Sequence, residues 1–392
     1  CRKRCFARNK SLTIYLQTMK RISTATAFAV LITLCTDAQE TKSNSIMGKP
    51  KISGYLIGQY QTSTQDNNNS NSFNIRYARL SVGGHILDDF EYKLQGQING
   101  NTSTLGSSPR LVDASVEWQK YGFLKVKAGQ FKLPFTFENP MHPIDMGFMG
   151  YGQAVSKLSG ISDRMGQHSS NGRDIGIQIQ GDILTNTSGR NLLHYQVGIF
   201  NGQGINVKDA DNRKNIVGGM WFMPTKGLRV GVFGWAGSYA RNGIWTDRNG
   251  NEQSGTNSLS QYRYAISAEY RNTDWQVRSE YVHSTGYGFS TTYQNSDNQK
   301  DARVNWTQGN KADGFYALCI APVIKQKLRA KARYDLYRPS AEWNNSRTQY
   351  EIGINYILHK NIELQGEYAF INDRSLACHN YSMVDVELCV RF

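Results

Sequence analysis

The chain has 392 residues, 45 Lys plus Arg against 31 Asp plus Glu, 39% hydrophobic residues and a mean hydropathy of −0.54. This excludes disorder and supports a large folded unit. It also excludes a helical membrane protein, because no apolar run approaches the roughly 20 residues that a spanning helix needs. The net charge of +14 would raise nucleic acid as a partner, but part of it lies in a segment expected to be removed.

That segment comes first in chain order. Cys1 to Thr18 is basic and patternless and reads as translation upstream of the true start at Met19. Met19, Lys20 and Arg21 form a positive n-region, Ala25 to Leu34 an apolar h-region, and Thr36-Asp37-Ala38 a cleavage site, the pattern of a secretory signal peptide. A short buried helix is disfavoured, since the run has no polar face. Cys35 follows Leu34 rather than the small residue that a lipidation site needs. Loss of residues 1–38 leaves 38 cations against 30 anions in a mature chain 39–392, so nucleic acid is not expected as a partner. Cys1, Cys5 and Cys35 leave with the leader; Cys319, Cys378 and Cys389 are odd in number and far apart, giving no disulfide framework and no metal or other cofactor site.

Period-2 stretches bounded by turn residues predict sixteen strands, at 51–61, 73–86, 89–100, 111–119, 122–132, 173–183, 191–201, 215–223, 227–240, 260–271, 274–287, 311–321, 325–338, 346–358, 361–371 and 381–392. In one of them Phe90, Tyr92, Leu94, Gly96 and Ile98 alternate with Glu91, Lys93, Gln95, Gln97 and Asn99. Most runs match the roughly 9 to 11 residues of a tilted strand crossing a bilayer, not the usual globular length of about five or six. The connections alternate between short turns, such as 87–88, 120–121 and 359–360, and longer polar loops at 62–72, 101–110, 133–172, 202–214, 241–259, 288–310, 339–345 and 372–380. An all-β transmembrane antiparallel up-and-down barrel with both termini periplasmic has this rhythm and requires an even strand number. All eight prolines, Pro50, Pro109, Pro134, Pro140, Pro143, Pro224, Pro322 and Pro339, fall outside the predicted strands, as a ladder without edges demands. Phe392 ends an amphipathic strand, similar to the signal read by the outer-membrane assembly machinery.

Several pieces resemble the outer-membrane phosphate-selective porins of the O and P type: Arg76-Tyr77-Ala78-Arg79-Leu80 with Asp89-Phe90-Glu91-Tyr92-Lys93, then Lys127-Ala128-Gly129-Gln130-Phe131-Lys132-Leu133-Pro134-Phe135, then Gly172-Arg173-Asp174-Ile175-Gly176. The resemblance covers about the first third of the mature chain closely and the rest in rhythm only. It implies a homotrimer of sixteen-stranded barrels in the bacterial outer membrane, in contact with its lipid. It also implies a third external loop folded into the pore, here 133–172, and a channel lined by basic side chains that favours small anionic solutes.

The run 325–338 places Lys325, Lys327, Arg329, Lys331 and Arg333 on one face and Leu328, Ala330, Ala332, Tyr334 and Leu336 on the other. The apolar set must meet lipid, so five lumen cations about 6.6 Å apart, within a Debye length of about 8 Å, are expected to form one positive stripe. Asp313 and Glu351 are the acids expected to face it from the flanking strands. Lys125 and Lys127 form a second basic stripe. The charged residues of loop 133–172, Glu138, Asp145, Lys157, Asp163 and Arg164, sum to −1, so a broad anion preference rather than a strict phosphate filter is expected. His168-Ser169 near Asp163 has no strained elbow around it, His142, His168 and Asp145 lack metal-ligand spacing, and Gly202-Gln203-Gly204 opens a loop rather than a helix. Phe200, Phe233 and Trp235 could form a sugar-stacking track but read better as packed wall. A general or saccharide-preferring porin is the alternative within the channel class. A barrel-borne adhesin or enzyme would need a convergent site in loops 241–259 and 288–310, which offer Asn, Ser and Gly without an acid, base or nucleophile.

Overall fold

Strict alternation of side chains across each strand gives the wall of this protein two chemically different faces. The computed structural model describes residues 48–99, 109–162, 170–290, 301–307 and 309–392; the expected leader 1–38 and Asp163, Arg164, His168 and Ser169 lie outside them. Sixteen strands form one closed antiparallel barrel. They are β1 (Lys51–Ser63), β2 (Ser70–Ile86), β3 (Phe90–Gln97), β4 (Arg110–Tyr121), β5 (Leu124–Lys132), β6 (Arg173–Thr185), β7 (Asn191–Phe200), β8 (Asn215–Phe222), β9 (Leu228–Thr246), β10 (Glu252–Arg271), β11 (Gln276–Thr285), β14 (Lys311–Ile324), β15 (Leu328–Arg338), β16 (Arg347–His359), β17 (Ile362–Asp373) and β18 (Asn380–Arg391). The pair β12 (Gly288–Phe289) and β13 (Val304–Asn305) forms a separate two-stranded ribbon.

Each barrel strand pairs with its neighbours in the chain, and β1 pairs with β18 from Tyr55↔Arg391 to Ser63↔Met383 to close the ring. Closure removes every open strand edge, the condition for a sheet in hydrocarbon. The seam is finished by Gly54 and Phe392, which exchange backbone hydrogen bonds of 2.8 and 3.0 Å. The Phe392 ring lies so close that a Cβ on Gly54 would stand 2.6 Å from it, so only glycine serves there.

The outward positions are apolar and exposed, among them Val230 and Val232, Ile352 and Ile354, and Leu364 and Leu388. The inward positions are polar and buried, including Gln95, Gln178, Glu280, Arg333 and Gln365. This is the reverse of a water-soluble sandwich and suits lipid outside and a polar lumen.

Four sequence expectations are corrected. The segment 241–259 is not a loop: β9 and β10 stay paired to Thr246↔Glu252, and only residues 247–251 turn, with Asp247 Oδ1 accepting from the backbone of Asn249 and Asn251, both at 2.9 Å. Polar residues occupy both faces of that extension, so no alternation marks it. Pro322 lies inside β14, not outside a strand; the β14–β15 register shifts between Pro322 and Ile324, and a bulge tolerates the missing N–H. The strand predicted from 325 begins at Leu328, because residues 325–327 form the turn, with Lys327 N donating to Ile324 O at 3.0 Å and Gln326 at φ +59°. Asp313 shares the outward parity of Phe315 and pairs with Arg338 across β14–β15 at 2.5 Å, so it does not face the lumen.

Candidate functional site

Loop backbone that leaves a sheet must find hydrogen-bond partners, and in residues 133–162 many of these are inward side chains of the wall. Glu280 accepts from Phe137 N and Glu138 N, both at 2.9 Å. Glu367 accepts from Met149 N at 2.8 Å, and Asp335 from Gln153 N at 2.9 Å. Asn355 Nδ2 donates to Gly147 O at 2.9 Å. Apolar packing supplies the rest: Phe135 lies 5.7 Å from Trp235 and Phe137 5.4 Å from Phe233, ring to ring, both edge-on. Val155 and Leu158, on the short helix Gln153–Leu158, join the same buried cluster with Phe200, Leu318 and Ile320. Phe200, Phe233 and Trp235 are therefore packed wall rather than a solute track.

The predicted five-cation stripe divides into two parts. Lys325 and Lys327 stand exposed in the turn, Lys327 lying 5.8 Å from the Tyr356 ring. Arg329, Lys331 and Arg333 face the lumen, and each is paired with a carboxylate. Arg329 reaches Glu363 at 3.3 Å, Lys331 pairs with Glu367, and Arg333 pairs with Glu351. Glu363 and Glu367 belong to β17, two strands away. Lys331 reaches Glu367 across Gly353, where a Cβ would come within 2.9 Å of Lys331 Cε and 3.1 Å of Glu367 Cγ. Two of these cations also hold the loop: Lys331 Nζ donates to Gly147 O at 3.1 Å and Arg333 to Gly150 O at 2.8 Å. Their arrangement fixes the tip of the loop instead of presenting free positive charge.

An excess of positive charge lies elsewhere. A recess of about 210 Å³ between the root of the loop and β3–β7 is lined by three cations, Lys93, Lys127 and Lys132, one acid, Asp113, and Gln178 and Gln180. Asp113 already serves two cations, Arg173 at 2.5 Å and Lys93 at 3.0 Å. Lys127 lies 3.5 Å from Glu117, and Lys132 is held by neutral oxygens, the Asn139 carbonyl at 2.7 Å and the Tyr151 hydroxyl at 2.8 Å. Lys125 shares the face of Lys127, opposite Gln180, and has no ion pair among the described residues. Of the predicted site residues, only Lys125 and Lys127 belong to this sector. Lys93, Lys132 and Arg173 were not singled out, because they come from three strands whose adjacency no local pattern reveals.

A larger chamber of about 530 Å³ lies between the loop tip and the wall of β1, β2 and β15–β18. Its charges are mixed: Arg76, Lys157, Arg333 and Arg347 against Asp335, Glu351, Glu367, Asp373 and Asp385. Among the described residues no group of three His, Cys, Asp or Glu side chains is placed to hold a metal ion.

His142 ties the loop to the barrel seam. Its ring lies 4.3 Å from that of Tyr55, and its Nδ1 accepts from Ile144 N at 3.3 Å, which requires the neutral imidazole. Burial, then the Arg391 guanidinium, lowers its pKa to about 4; Asp145 opposes this, while Lys93 and Arg79 add to it. Since the unfolded or undocked form titrates near 6.5, the folded form binds fewer protons in between. The contribution of His142 is complete above pH about 6.5 and declines to zero as pH falls through about 4, by roughly 3 kcal/mol at most. Single-channel recordings should therefore show current noise rising between pH 6.5 and 4, and H142F, which keeps the ring on Tyr55, should remove that pH dependence. Identical noise profiles in parent and variant would contradict the assignment.

A lumen narrowed by an inward loop and rimmed by charge is the arrangement of a diffusion channel. The family model of the phosphate-selective porins O and P matches residues 54–278, more than half of the chain, from β1 into β11. The chain belongs to this family. It is a porin of the bacterial outer membrane, and family and fold speak for a passive channel rather than an enzyme. Among solved structures, this porin is similar to an anion-selective porin from Comamonas acidovorans, with a TM-score of 0.61 at 13% identity over 88% of this chain and 99% of that one. It is similar to the outer-membrane channel DcaP of Acinetobacter baumannii, with a TM-score of 0.57 at 11% identity over 88% and 97%. The trimer form of OmpT of Vibrio cholerae gives 0.52 at 12% over 88% and 99%. At such identities the likeness concerns the fold. No curated protein matches the chain in sequence.

Proposed function

We propose that this porin is a homotrimeric channel that passes small hydrophilic solutes with a broad preference for anions, phosphate included, and has no catalytic activity. The observation that carries this reading is the basic sector around the recess, where Lys93, Lys125, Lys127 and Arg173 are set against the two acids Asp113 and Glu117. In a pore with low-dielectric walls, such unbalanced charge concentrates anions and repels cations. Lys125 and Lys127 are assigned to anion attraction. Lys331 and Arg333 act on the loop, Arg329 is paired with Glu363, and Lys325 and Lys327 stand at the mouth on the turn side. The mixed charges of the larger chamber argue against a tight filter for one anion. The anion-selective Comamonas porin and the OmpT trimer, both of the same fold, support the preference and the assembly. Residues 1–38 act as the leader and both termini face the periplasm. The reading is tested by the reversal potential of the purified protein in a planar bilayer under a salt gradient.

A further inference from the structure

Three carboxylates and one guanidinium, all buried, meet where the loop reaches the wall of β10, β11 and β14. Arg278 of β11 is fully buried, and its fork touches the loop at three points: Glu138 Oε1 at 2.7 Å, Met141 Sδ at 3.1 Å and Met146 O at 3.5 Å. Its remaining donors go to the wall, Nε to the Tyr316 hydroxyl at 2.7 Å and Nη1 to Glu269 Oε1 at 3.2 Å. The second oxygen of Glu138 accepts from Gly152 N at 2.8 Å, so the chain Arg278–Glu138–Gly152 ties the outgoing arm of the loop to the returning one. Gly152 itself rests on Tyr316, where a Cβ would stand 2.5 Å from the ring. Glu280 completes the arrangement, accepting from Phe137 N, Glu138 N, the Ser267 hydroxyl and the Tyr316 hydroxyl.

We infer that Arg278 is the positioning residue that sets the bore of this channel, holding the loop at a fixed depth through Glu138 without meeting the solute. The inference rests on the reading of the loop as the constriction of a channel. Without the guanidinium, Glu138 and Glu280 are two buried like charges brought together by one stretch of backbone, which favours release of the loop from the wall of β11. A purely structural arginine would change barrel stability and leave the current alone; a positioning arginine changes the current in a barrel that still resists heat in detergent gels.

The experiment compares single-channel conductance and flicker in the parent, R278Q, R278K, E138A and a variant lacking residues 140–160. The expected result is an about two-fold or greater rise in conductance with added flicker in R278Q and E138A. R278K, which keeps the charge but not the fork, should fall between them and the parent. E138A cuts the same link from the loop side, so the test stands if R278Q does not assemble. Parent-like conductance in both R278Q and E138A, while the loop-deleted channel conducts more, would overturn the role of Arg278 and leave the constriction reading intact. Parent-like conductance in the loop-deleted channel as well would remove that reading and the inference with it.

Discussion

Replacing Lys93, Lys125 and Lys127 together by glutamate should reverse the sign of the channel's selectivity. The change removes three positive charges from the sector holding the recess and adds three negative ones, six units in all, beside Asp113 and Glu117. Lys125 and Lys127, two residues apart on one face of β5, stand about 6.6 Å from each other, within one Debye length at physiological salt of about 8 Å, so their replacements act as one negative surface. The ratio of anion to cation permeability should fall on the order of tenfold, read as a reversal potential that moves from the chloride side to the potassium side. The same three glutamates in a channel that keeps its reversal potential would mean that the recess does not shape the path of the ions.

A larger effect on stability is expected from Gly353→Leu. The lysine at 331 and the glutamate at 367 are both buried and can meet only because position 353 has no side chain. A leucine there would separate a buried ion pair and remove acceptors and donors from Gly147 and Met149 of the loop. It would also press on Gly366 O, 2.2 Å from its Cβ. Leaving one buried charge unpaired costs about 3–5 kcal/mol, so the urea midpoint of the detergent-solubilised barrel should drop markedly, with noisy, enlarged conductance in whatever assembles. An unchanged midpoint would show that the pair contributes little and that the loop tip is held by Arg333 and Asn355 instead.

The two results mark what the amino-acid order could and could not reveal. Sixteen strands were legible because alternation is a local property: the side chain of residue i and that of i+2 share a face whatever the rest of the chain does. The strand ends were less legible. The pattern Lys325-Gln326-Lys327-Leu328-Arg329 continues its alternation straight through a turn, so nothing in it separates two turn lysines from three wall cations. Pairing was not legible at all beyond adjacent strands. Glu363 and Glu367 neutralise the predicted stripe from two strands away, and the enabling feature is an absent side chain at Gly353. Asp313 was assigned to the lumen, although it shares the outward parity of Phe315. The basic recess escaped notice for a similar reason: Lys93, Lys127 and Arg173 lie in β3, β5 and β6, and Asp113 of β4 gathers Lys93 and Arg173 only once these strands are paired in register.

The most direct measurement is the reversal potential of the unaltered protein in a planar bilayer with KCl at unequal concentrations on the two sides. A pore with a basic sector between low-dielectric walls should give a potential of chloride sign, with a permeability ratio above about 3 near 0.1 M, where the Debye length is about 10 Å. That ratio should decline toward unity near 1 M, where the Debye length is about 3 Å. A potential of potassium sign, or one near zero at every salt concentration, would contradict an anion-preferring porin.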